Sequence, residues 1–368
     1  MISADLVARI RLIRTPSIGP VTCRQLMARF GGAQEALRAI PDLAARGGGR
    51  MPALFTEEGA KRELASVEKL GARYLVLGQA PYPGLLAEND DAPPLLTALG
   101  DLELLDRPLV AMVGARNASA AACRFARGLA HDLGREGEVV VSGLARGIDA
   151  AAHEGALEGG TIGVIAGGLD IFYPPENMAL QRAVAERGLV LAEMPPGTEP
   201  RARHFPYRNR IIAGLCRGTV VIEAAPRSGS LITARLAAEM GREVMAVPGS
   251  PLDPRAQGCN GLIRDGATLV QNAADVIEAM RPGLGGVRSG RELFDHAPED
   301  AVCVAASEPG APERTTIEEL LGPSAVPVDE LVRQSGMAPG AVALILLELD
   351  LAGRIDRHAG GKVALRMA

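Results

Sequence analysis

LVAMVGAR, residues 109–116, is a short apolar run that leads directly into glycine and arginine. Similar apolar runs, each followed by glycine, a small polar residue or a loop, recur as EVVVSG (138–143), TIGVIAGG (161–168), GLVLAE (188–193), TVVIEA (219–224) and EVMAVPG (243–249). Segments with helical spacing separate them, at about 118–136, 149–158, 177–187, 208–216 and 230–241. Continuous apolar strands alternating with helices predict a parallel sheet covered on both faces. We therefore expect a doubly wound α/β domain ending near Met280.

Glycine and small polar residues follow several of these predicted strands. The four turns are Val113–Arg116, Ser142–Asp149, Gly167–Asp170 and Ser228–Ser230. Glycine lets the backbone approach a ligand closely, and a helix N-terminus offers free N–H groups with partial positive charge. Each turn alone fits an ordinary strand–helix connection. Because the carboxyl ends of parallel strands share one edge, the four together predict a row of anion sites, with Arg116 reaching across the rim.

The segment RARHFPYRNR, residues 201–210, alternates cations with aromatic side chains. Aromatic faces stack on exposed bases while arginines follow the phosphates, a combination typical of single-stranded nucleic-acid binding. Duplex DNA requires chiefly the cations. The alternative is an arginine-rich surface loop with Phe205 in the core.

Composition limits the class of protein. The chain has 368 residues, 47% of them hydrophobic and 23% charged, which predicts two or three folded domains and excludes global disorder. Without an apolar run of membrane-spanning length or a signal segment, we expect a cytoplasmic protein. The net charge of −5 disfavours a nucleic-acid coat, although residues 201–217 hold five arginines and no acid.

Sequence motifs for catalysis and cofactors are missing. The five cysteines are scattered without a CxxC, so neither a disulfide framework nor a structural zinc site is expected. The chain has no P-loop, no GxGxxG after the first strand and no GxSxG elbow, so we expect no cofactor and no enzyme of those classes. Asp149 and His153, four residues apart on a helix, form either an acid–base or metal-binding couple or, more commonly, a helix-start aspartate with a satisfied neighbour.

The flanking regions suggest smaller domains. Residues 1–75 predict a small helical domain, whose turn at 16–20 either presents backbone N–H groups to a phosphate or simply joins two helices. Residues 76–108 are proline-rich and predict an irregular lead-in to the central domain, which we place at 76–281. Residues 282–314, rich in glycine, proline and alanine, predict a mobile linker.

Residues 315–368 show three helical stretches and a hairpin, the pattern of a winged helix. The predicted wing carries Arg354, Arg357, Lys362 and Arg366 against Asp356. The third helix is strongly apolar, which suits a major-groove reader poorly. A protein-contact or packing role is therefore at least as consistent with the sequence as DNA binding.

From about Leu109 to Val270 the chain closely resembles the DNA-processing protein A family (DprA, also called Smf). The matching stretches are VGAR (113–116), VVSGLARGIDAAAHEGAL (140–157), GGLDIFYPPEN (167–177), FPYRNRIIAGLCRG (205–218), VIEAAPRSGSLITARLAAEMGREVMAVPGS (221–250) and GCNGLIRDGA (258–267). The flanks resemble, more loosely, the family's sterile-alpha-motif-like N-terminal domain and its C-terminal winged helix.

This resemblance implies a Rossmann-like core that binds single-stranded DNA without cutting it, in natural transformation. It also implies protection of incoming strands, displacement of single-strand binding protein, loading of the RecA recombinase and a homodimer formed through the Rossmann-like domain. No metal and no membrane insertion are implied.

The same resemblance gives roles to individual residues. Arg116 matches the family's DNA-binding arginine and Phe205 its base-contacting aromatic residue. The full set of expected nucleic-acid-binding residues is Gly114, Arg116, Ser142, Gly143, Gly167, Tyr173, Arg203, Phe205, Arg208, Asn209, Gly229, Ser230 and Thr233. The chain departs from the family where some members carry lysine, since Pro175 and Glu176 follow Tyr173-Pro174 here, and Ala202 occupies a second basic position.

A different class of function is compatible with the same edge. Related Rossmann-like domains hydrolyse nucleoside monophosphates with a strand-end glutamate and an arginine. Glu223 and Arg116 are the corresponding pair here, with residues 228–230 on the phosphate. A protein-interaction scaffold that docks a partner through the winged helix is a third hypothesis, compatible with the first.

Overall fold

The computed structural model describes residues 3–49, 52–281, 308–358 and 360–366. The chain divides into two compact units, one formed by residues up to 62 together with those from 308 onward, the other by residues 63–281. Most of the expected linker, Cys303 and the Ala359 position of the expected wing turn lie outside the described residues. In the described ranges, no helix is both long and apolar enough to cross a membrane.

Residues 63–281, described without a gap, contain a nine-stranded sheet in the order β1-β2-β6-β5-β4-β3-β7-β8-β9. The strands are β1 (Arg73–Val76), β2 (Leu95–Gly100), β3 (Leu109–Gly114), β4 (Val139–Ser142), β5 (Thr161–Ile165), β6 (Leu189–Ala192), β7 (Gly218–Ile222), β8 (Glu243–Ala246) and β9 (Thr268–Leu269). The seven neighbouring strands β6-β5-β4-β3-β7-β8-β9 run parallel to one another. Strand β2 is antiparallel to β6, and β1 is antiparallel to β2.

Helices connect the strands of this sheet and cover it. In chain order they are α4 (Glu57–Lys69), α5 (Gly84–Ala87), α6 (Ala120–Arg135), α7 (Ile148–Ala156), α8 (Met178–Arg187), α9 (His204–Leu215), α10 (Gly229–Glu239), α11 (Gln257–Arg264) and α12 (Ala273–Met280). Separate apolar clusters form around alternate residues of β3: Ala111 and Val113 belong to one, Val110 and Met112 to the other. Burial on both faces explains the continuous apolar strands and confirms the doubly wound, Rossmann-like α/β fold.

The structure differs from the sequence expectation in three elements of this unit. Strand β1 lies at the end of residues 1–75, which were expected to be helical, and it pairs with β2. The lead-in at 76–108 is not irregular throughout, because β2 lies within it and pairs with β6. Its proline-rich parts flank a strand whose first four residues are buried. The helix expected at 208–216 begins earlier, at His204, so Phe205 lies in its first turn.

The other unit joins the two ends of the chain. Its helices are α1 (Ala4–Arg14), α2 (Pro20–Phe30), α3 (Ala33–Arg46), α13 (Ala311–Leu320), α14 (Val328–Ser335) and α15 (Pro339–Leu351), and its strands are β10 (Val326–Pro327), β11 (Ile355–His358) and β12 (Lys362–Leu365). The small sheet has the order β10-β12-β11. Three helices and this sheet form the winged helix, and α13 begins inside the stretch expected to be linker.

Helix α15, the third helix of the winged helix, packs on the N-terminal helices. Leu344, Leu347 and Leu351 are buried in the same apolar cluster as residues of α1, α2 and α3. A Cβ added at Gly47 would lie 2.2 Å from the Glu348 carbonyl oxygen, so the two backbones approach as closely as glycine allows. The apolar character of α15 therefore reflects packing inside this unit. This is the packing role that the sequence allowed as an alternative to DNA binding.

Polar contacts reinforce the same packing. Thr22 Oγ1 donates to Asp350 at 2.6 Å, and the same carboxylate accepts a hydrogen bond of 2.9 Å from Arg357 Nε. The Arg357 guanidinium also donates to Gln25 at 3.1 Å. Arg357, which the sequence placed on the wing, is thus bound by the Asp350 carboxylate and by Gln25 of α2.

We expect that removing residues 308–368 will destabilise the N-terminal helices, because it exposes the apolar residues that α15 covers. Hydrogen exchange followed by mass spectrometry should show faster exchange in α1–α3 and unchanged exchange in the parallel sheet. The point variant Leu347→Ala should lower the free energy of unfolding of this unit by about 2–5 kcal/mol. Unaltered protection of α1–α3 in the truncated chain would contradict the shared core.

Candidate nucleic-acid interface

The carboxyl edge of the parallel sheet has its switch point between β3 and β7. From β3 the chain proceeds through β4, β5 and β6 on one side, whereas β7 and β8 lie on the other. The loops after β3 and β7 meet here, since the amide of Ala115 donates to the Glu223 carbonyl at 2.8 Å. Open α/β sheets bind ligands at such a point.

Arg116, Phe205 and Tyr173 form a cluster at this edge. The Arg116 guanidinium carbon lies 5.0 Å from the centroid of the Phe205 ring. The Phe205 and Tyr173 rings are 5.7 Å apart and tilted by 56°. Arg116 is exposed, Phe205 is half-buried, and Tyr173 is 48% exposed. A cation and two rings from three separate loops or helices therefore share one accessible surface, which we call the arginine–aromatic cluster.

The arginines of the 201–210 segment divide into two groups. Arg201 and Arg203 precede α9 and are exposed. Arg208 and Arg210 lie on the buried face of α9 and are only 6% and 5% exposed. Arg210 Nη2 donates to Glu193 at 2.6 Å. Arg208, which the sequence placed among the nucleic-acid-binding residues, is therefore buried rather than on the accessible surface.

Arg208 supports the loop after β4. Its Nη1 lies 3.7 Å from Asp149, and that carboxylate accepts hydrogen bonds from the amides of Gly143 and Ala145 at 3.1 and 3.4 Å. A Cβ at Gly143 would lie 1.1 Å from Arg208 Nη1, so any larger residue there would displace the guanidinium. Burial raises the pKa of the Asp149 carboxyl, and the positive charge of Arg208 opposes that shift.

His153 also supports this loop and makes no hydrogen bond to Asp149. Its Nε2 accepts from the Leu144 amide at 3.3 Å, and its Nδ1 lies 2.7 Å from Thr161 Oγ1. Because the Thr161 hydroxyl donates to the Val140 carbonyl, Nδ1 carries the proton and the ring is neutral. Burial lowers the pKa of His153 to about 3. Asp149 and His153 are therefore structural residues, which is the second of the two interpretations that the sequence allowed.

Several expected binding residues line one small pocket below the cluster. Its lining includes Gly143, Gly167, Tyr173, Phe205 and Arg208. Gly167 is buried, and a Cβ there would lie 2.7 Å from the Thr198 carbonyl oxygen. These residues therefore shape the floor of the surface that the exposed rings and Arg116 form.

Other expected residues are enclosed in the protein. Ser142 is fully buried and its hydroxyl donates to the Met112 carbonyl at 2.7 Å. A Cβ at Gly114 would lie 1.9 Å from the Ile222 carbonyl oxygen, so this glycine serves the packing of β3 on β7. Thr233 is 2% exposed. The sequence pattern did not separate the accessible residues of these turns from the buried ones.

The start of α10 offers open backbone beside α9. Gly229 is exposed with free space around its Cα, and Ser228 caps the helix by accepting a hydrogen bond from the Ser230 amide. Asn209 Nδ2 donates to the Gly229 carbonyl at 3.5 Å, which links α9 to this turn. Ser230 itself is only 8% exposed, and its hydroxyl lies 2.8 Å from that of Ser228.

Glu223, the acid of the hydrolase alternative, already has partners. Its carboxylate accepts from the Ser119 amide at 2.7 Å and from the Ser119 hydroxyl at 2.5 Å. Ser119 is the N-cap of α6, so Glu223 fixes the start of that helix. Within the described residues, no three histidine, cysteine, aspartate or glutamate side chains are grouped to hold a metal ion.

Arg146 and Asn177 belong to the same edge, although the sequence pattern did not single them out. Asn177 Nδ2 donates to the Leu144 and Ala145 carbonyls at 2.9 and 3.0 Å. Arg146 follows Ala145, which lines the pocket. The sequence did contain an indication for Arg146, because this residue lies in the glycine-containing turn at 142–149.

The protein belongs to a class that combines three parts. These are a Rossmann-like sheet with an arginine–aromatic cluster at its switch point, an N-terminal helical domain and a winged helix. Comparison with family models matches residues 73–281 to DNA recombination-mediator protein A, residues 3–66 to the DprA-like N-terminal HHH domain and residues 302–361 to the DprA winged helix domain. The chain belongs to the DNA recombination-mediator protein A family, also named DprA or Smf.

Individual relatives agree with this assignment. DNA processing protein DprA of Streptococcus pneumoniae is 47% identical over 243 residues, which cover 65% of this chain and 86% of that protein. The X-ray structure of DprA from Streptococcus pneumoniae matches with a TM-score of 0.63 and 38% identity, over 75% of this chain and 98% of that one. A structure reporting the single-stranded DNA binding mode of DNA processing protein A from Helicobacter pylori matches with a TM-score of 0.52 and 31% identity, over 56% of this chain and 95% of that one.

We expect acidification to destabilise the protein through His153. The folded protein keeps this ring neutral down to about pH 3, whereas the unfolded chain protonates it below about pH 6.5. The unfolded state therefore binds the extra proton, and between pH 7 and 5 stability should fall by about 2 kcal/mol through this residue. Urea denaturation at the two pH values measures the loss.

His153→Gln should show a smaller loss than the wild type over that range. His131→Gln, which changes an exposed histidine of α6, is the matched control and should keep the wild-type dependence. Equal pH dependence of wild type and His153→Gln would show that the buried ring does not control this stability.

Proposed function

We propose that this protein binds single-stranded DNA at the carboxyl edge of its parallel sheet and acts there as a recombination mediator rather than as an enzyme. The observation that carries the proposal is the arginine–aromatic cluster. Arg116 stacks on Phe205, and Phe205 lies beside the exposed ring of Tyr173. Stacking rings together with an exposed guanidinium match the two chemical features of an unpaired strand, its base faces and its phosphates.

The geometry favours an unpaired strand over duplex DNA. In a duplex the base faces are stacked on one another, so aromatic rings such as those of Tyr173 and Phe205 cannot stack on them. Base–aromatic stacking is worth about 1–3 kcal/mol per base, and it is tolerant of sequence because every base has a π face. We therefore expect binding with little sequence preference, to which Arg116, Arg203 and the open backbone at Gly229 contribute phosphate contacts.

The biological role is proposed from the family. In this role the protein protects incoming strands during natural transformation, displaces single-strand binding protein, loads RecA and forms a homodimer through the Rossmann-like domain. The Helicobacter pylori relative, reported for its single-stranded DNA binding, supports the first step of this sequence. The decisive measurement for the later steps is RecA filament formation on DNA covered by single-strand binding protein, with and without this protein.

The hydrolase alternative has less support. The hydroxyl and amide of Ser119 occupy the Glu223 carboxylate, and Arg116 stacks on an aromatic ring instead of approaching an acid. A nucleoside monophosphate at residues 228–230 would therefore meet no free general base from this pair.

We expect Arg116→Ala and Phe205→Ala each to weaken binding to a labelled thymidine oligonucleotide, measured by fluorescence anisotropy. Loss of Arg116 removes a phosphate contact and should lower the slope of log K against log salt by about 0.7. Loss of Phe205 should weaken binding by about 5- to 100-fold, equivalent to one stacked base, with a smaller change in that slope.

Arg124→Ala is a control that removes an arginine of α6 from outside the cluster, and it should bind as the wild type does. Wild-type affinity in both the Arg116 and the Phe205 variants would disprove the assignment of this surface. Duplex DNA of the same length should bind more weakly than the single strand at every salt concentration.

We also expect no release of free base when the protein is incubated with nucleoside monophosphates, because Glu223 is held by Ser119. Chromatography of the products measures this directly. Sustained base release that Glu223→Gln abolishes would establish the hydrolase instead.

A further inference from the structure

Arg146 and Glu176 form an ion pair at the same edge of the sheet. Arg146 belongs to the loop after β4, and Glu176 to the single turn of 3-10 helix that precedes α8. Their side chains are 62% and 48% exposed. Both charged groups are therefore in contact with water and open to a ligand that arrives from solution.

The loop that carries Arg146 contacts the loop that carries Arg116. The amide of Ile148 donates to the Ala115 carbonyl at 3.2 Å. A Cβ at Gly147 would lie 2.2 Å from the Ala115 carbonyl oxygen and 2.8 Å from that of Arg116. On its other side, Ala145 lines the pocket together with Tyr173 and Phe205. Arg146 thus extends the surface of the arginine–aromatic cluster along the edge.

The position of Glu176 is fixed by its neighbour in the chain. Asn177 donates to both the Leu144 and the Ala145 carbonyls, so the turn that carries Glu176 is fastened to the loop that carries Arg146. The carboxylate is consequently held close to the guanidinium even though the ion pair itself is exposed.

An exposed ion pair of this kind is weak. Such exposed pairs contribute little to stability and are screened by salt. A phosphate of a bound strand offers Arg146 the same bidentate geometry as a carboxylate. Replacing the Glu176 carboxylate with a phosphate as the partner of Arg146 therefore costs little free energy. The displaced Glu176 carboxylate stays nearby, however, and repels the incoming phosphate.

We propose that Arg146 is a phosphate-binding residue of the interface and that Glu176 is its intramolecular competitor, displaced when a DNA strand binds. This inference rests on the proposed function and adds to it a residue that limits affinity. The free protein carries a partly neutralised edge, so its affinity for a polyanion is lower than the count of arginines suggests.

The exposed ion pair between Arg127 and Glu154 lies elsewhere in this unit. Arg127 and Glu154 are similarly exposed, at 48% and 45%, and join α6 to α7. Glu154 lies near the end of α7 remote from its first residue, Ile148, and so away from the loops of the carboxyl edge. This pair offers a matched control, since the same charge is removed from the same kind of contact elsewhere.

The test is a double-mutant cycle with a labelled thymidine oligonucleotide, measured by anisotropy at several salt concentrations. Glu176→Gln should tighten binding by about two- to fivefold, the equivalent of the lost ion pair. Arg146→Gln should weaken binding and lower the salt slope by about 0.7. In the Arg146→Gln background, Glu176→Gln should increase the affinity no more than the removal of a distant negative charge does. Arg146→Lys, which keeps the charge, should bind more tightly than Arg146→Gln.

Glu154→Gln measures the effect of the net charge alone and should change affinity by less than Glu176→Gln does. Equal gains from the two glutamate variants, or the same gain from Glu176→Gln with and without Arg146, would overturn the competition. Unchanged binding by Arg146→Gln would overturn its phosphate contact while leaving the proposed function intact. Failure of the wild type to bind the oligonucleotide would overturn both the proposed function and this inference.

Discussion

The buried contact between Arg208 and Asp149 is the constraint on which the candidate interface depends. Asp149 draws the amides of Gly143 and Ala145 onto its carboxylate, and Arg208 fills the space directly under Gly143. Phe205 lies three residues before Arg208 on α9, with its ring 5.9 Å from the Arg208 guanidinium carbon. The same contact therefore fixes the loop after β4 and the position of the ring on which Arg116 stacks.

Positive charge is distributed unevenly around this surface. Arg208 and Arg210 are buried against Asp149 and Glu193, Arg116 lies on an aromatic ring, and Arg146 faces Glu176. Acidic partners accompany most of these cations, which is consistent with a chain of net charge −5 that still concentrates arginine at one edge. The positive charge of this edge is therefore partly neutralised within the protein itself.

The two ends of the chain are joined by a different constraint. Glycines at positions 47 and 49 let α15 approach the N-terminal helices until backbone meets backbone, and leucines of α15 complete their core. A winged helix whose third helix is covered in this way cannot place that helix in a major groove while the packing persists. Helix α15 therefore contributes to two apolar clusters, that of the N-terminal helices and that of the winged helix itself.

The sequence by itself determined the doubly wound sheet, the turns at its carboxyl edge and the family, because strand–helix alternation and glycine spacing are local features of the chain. It also singled out Arg116 and Phe205. Only the tertiary structure decided that Arg208 is buried, that Glu176 opposes Arg146, that β2 extends the sheet and that α15 covers the N-terminal helices. A pattern of residues shows which side chains need a partner, but the partner comes from a distant segment, and only folding brings the two together.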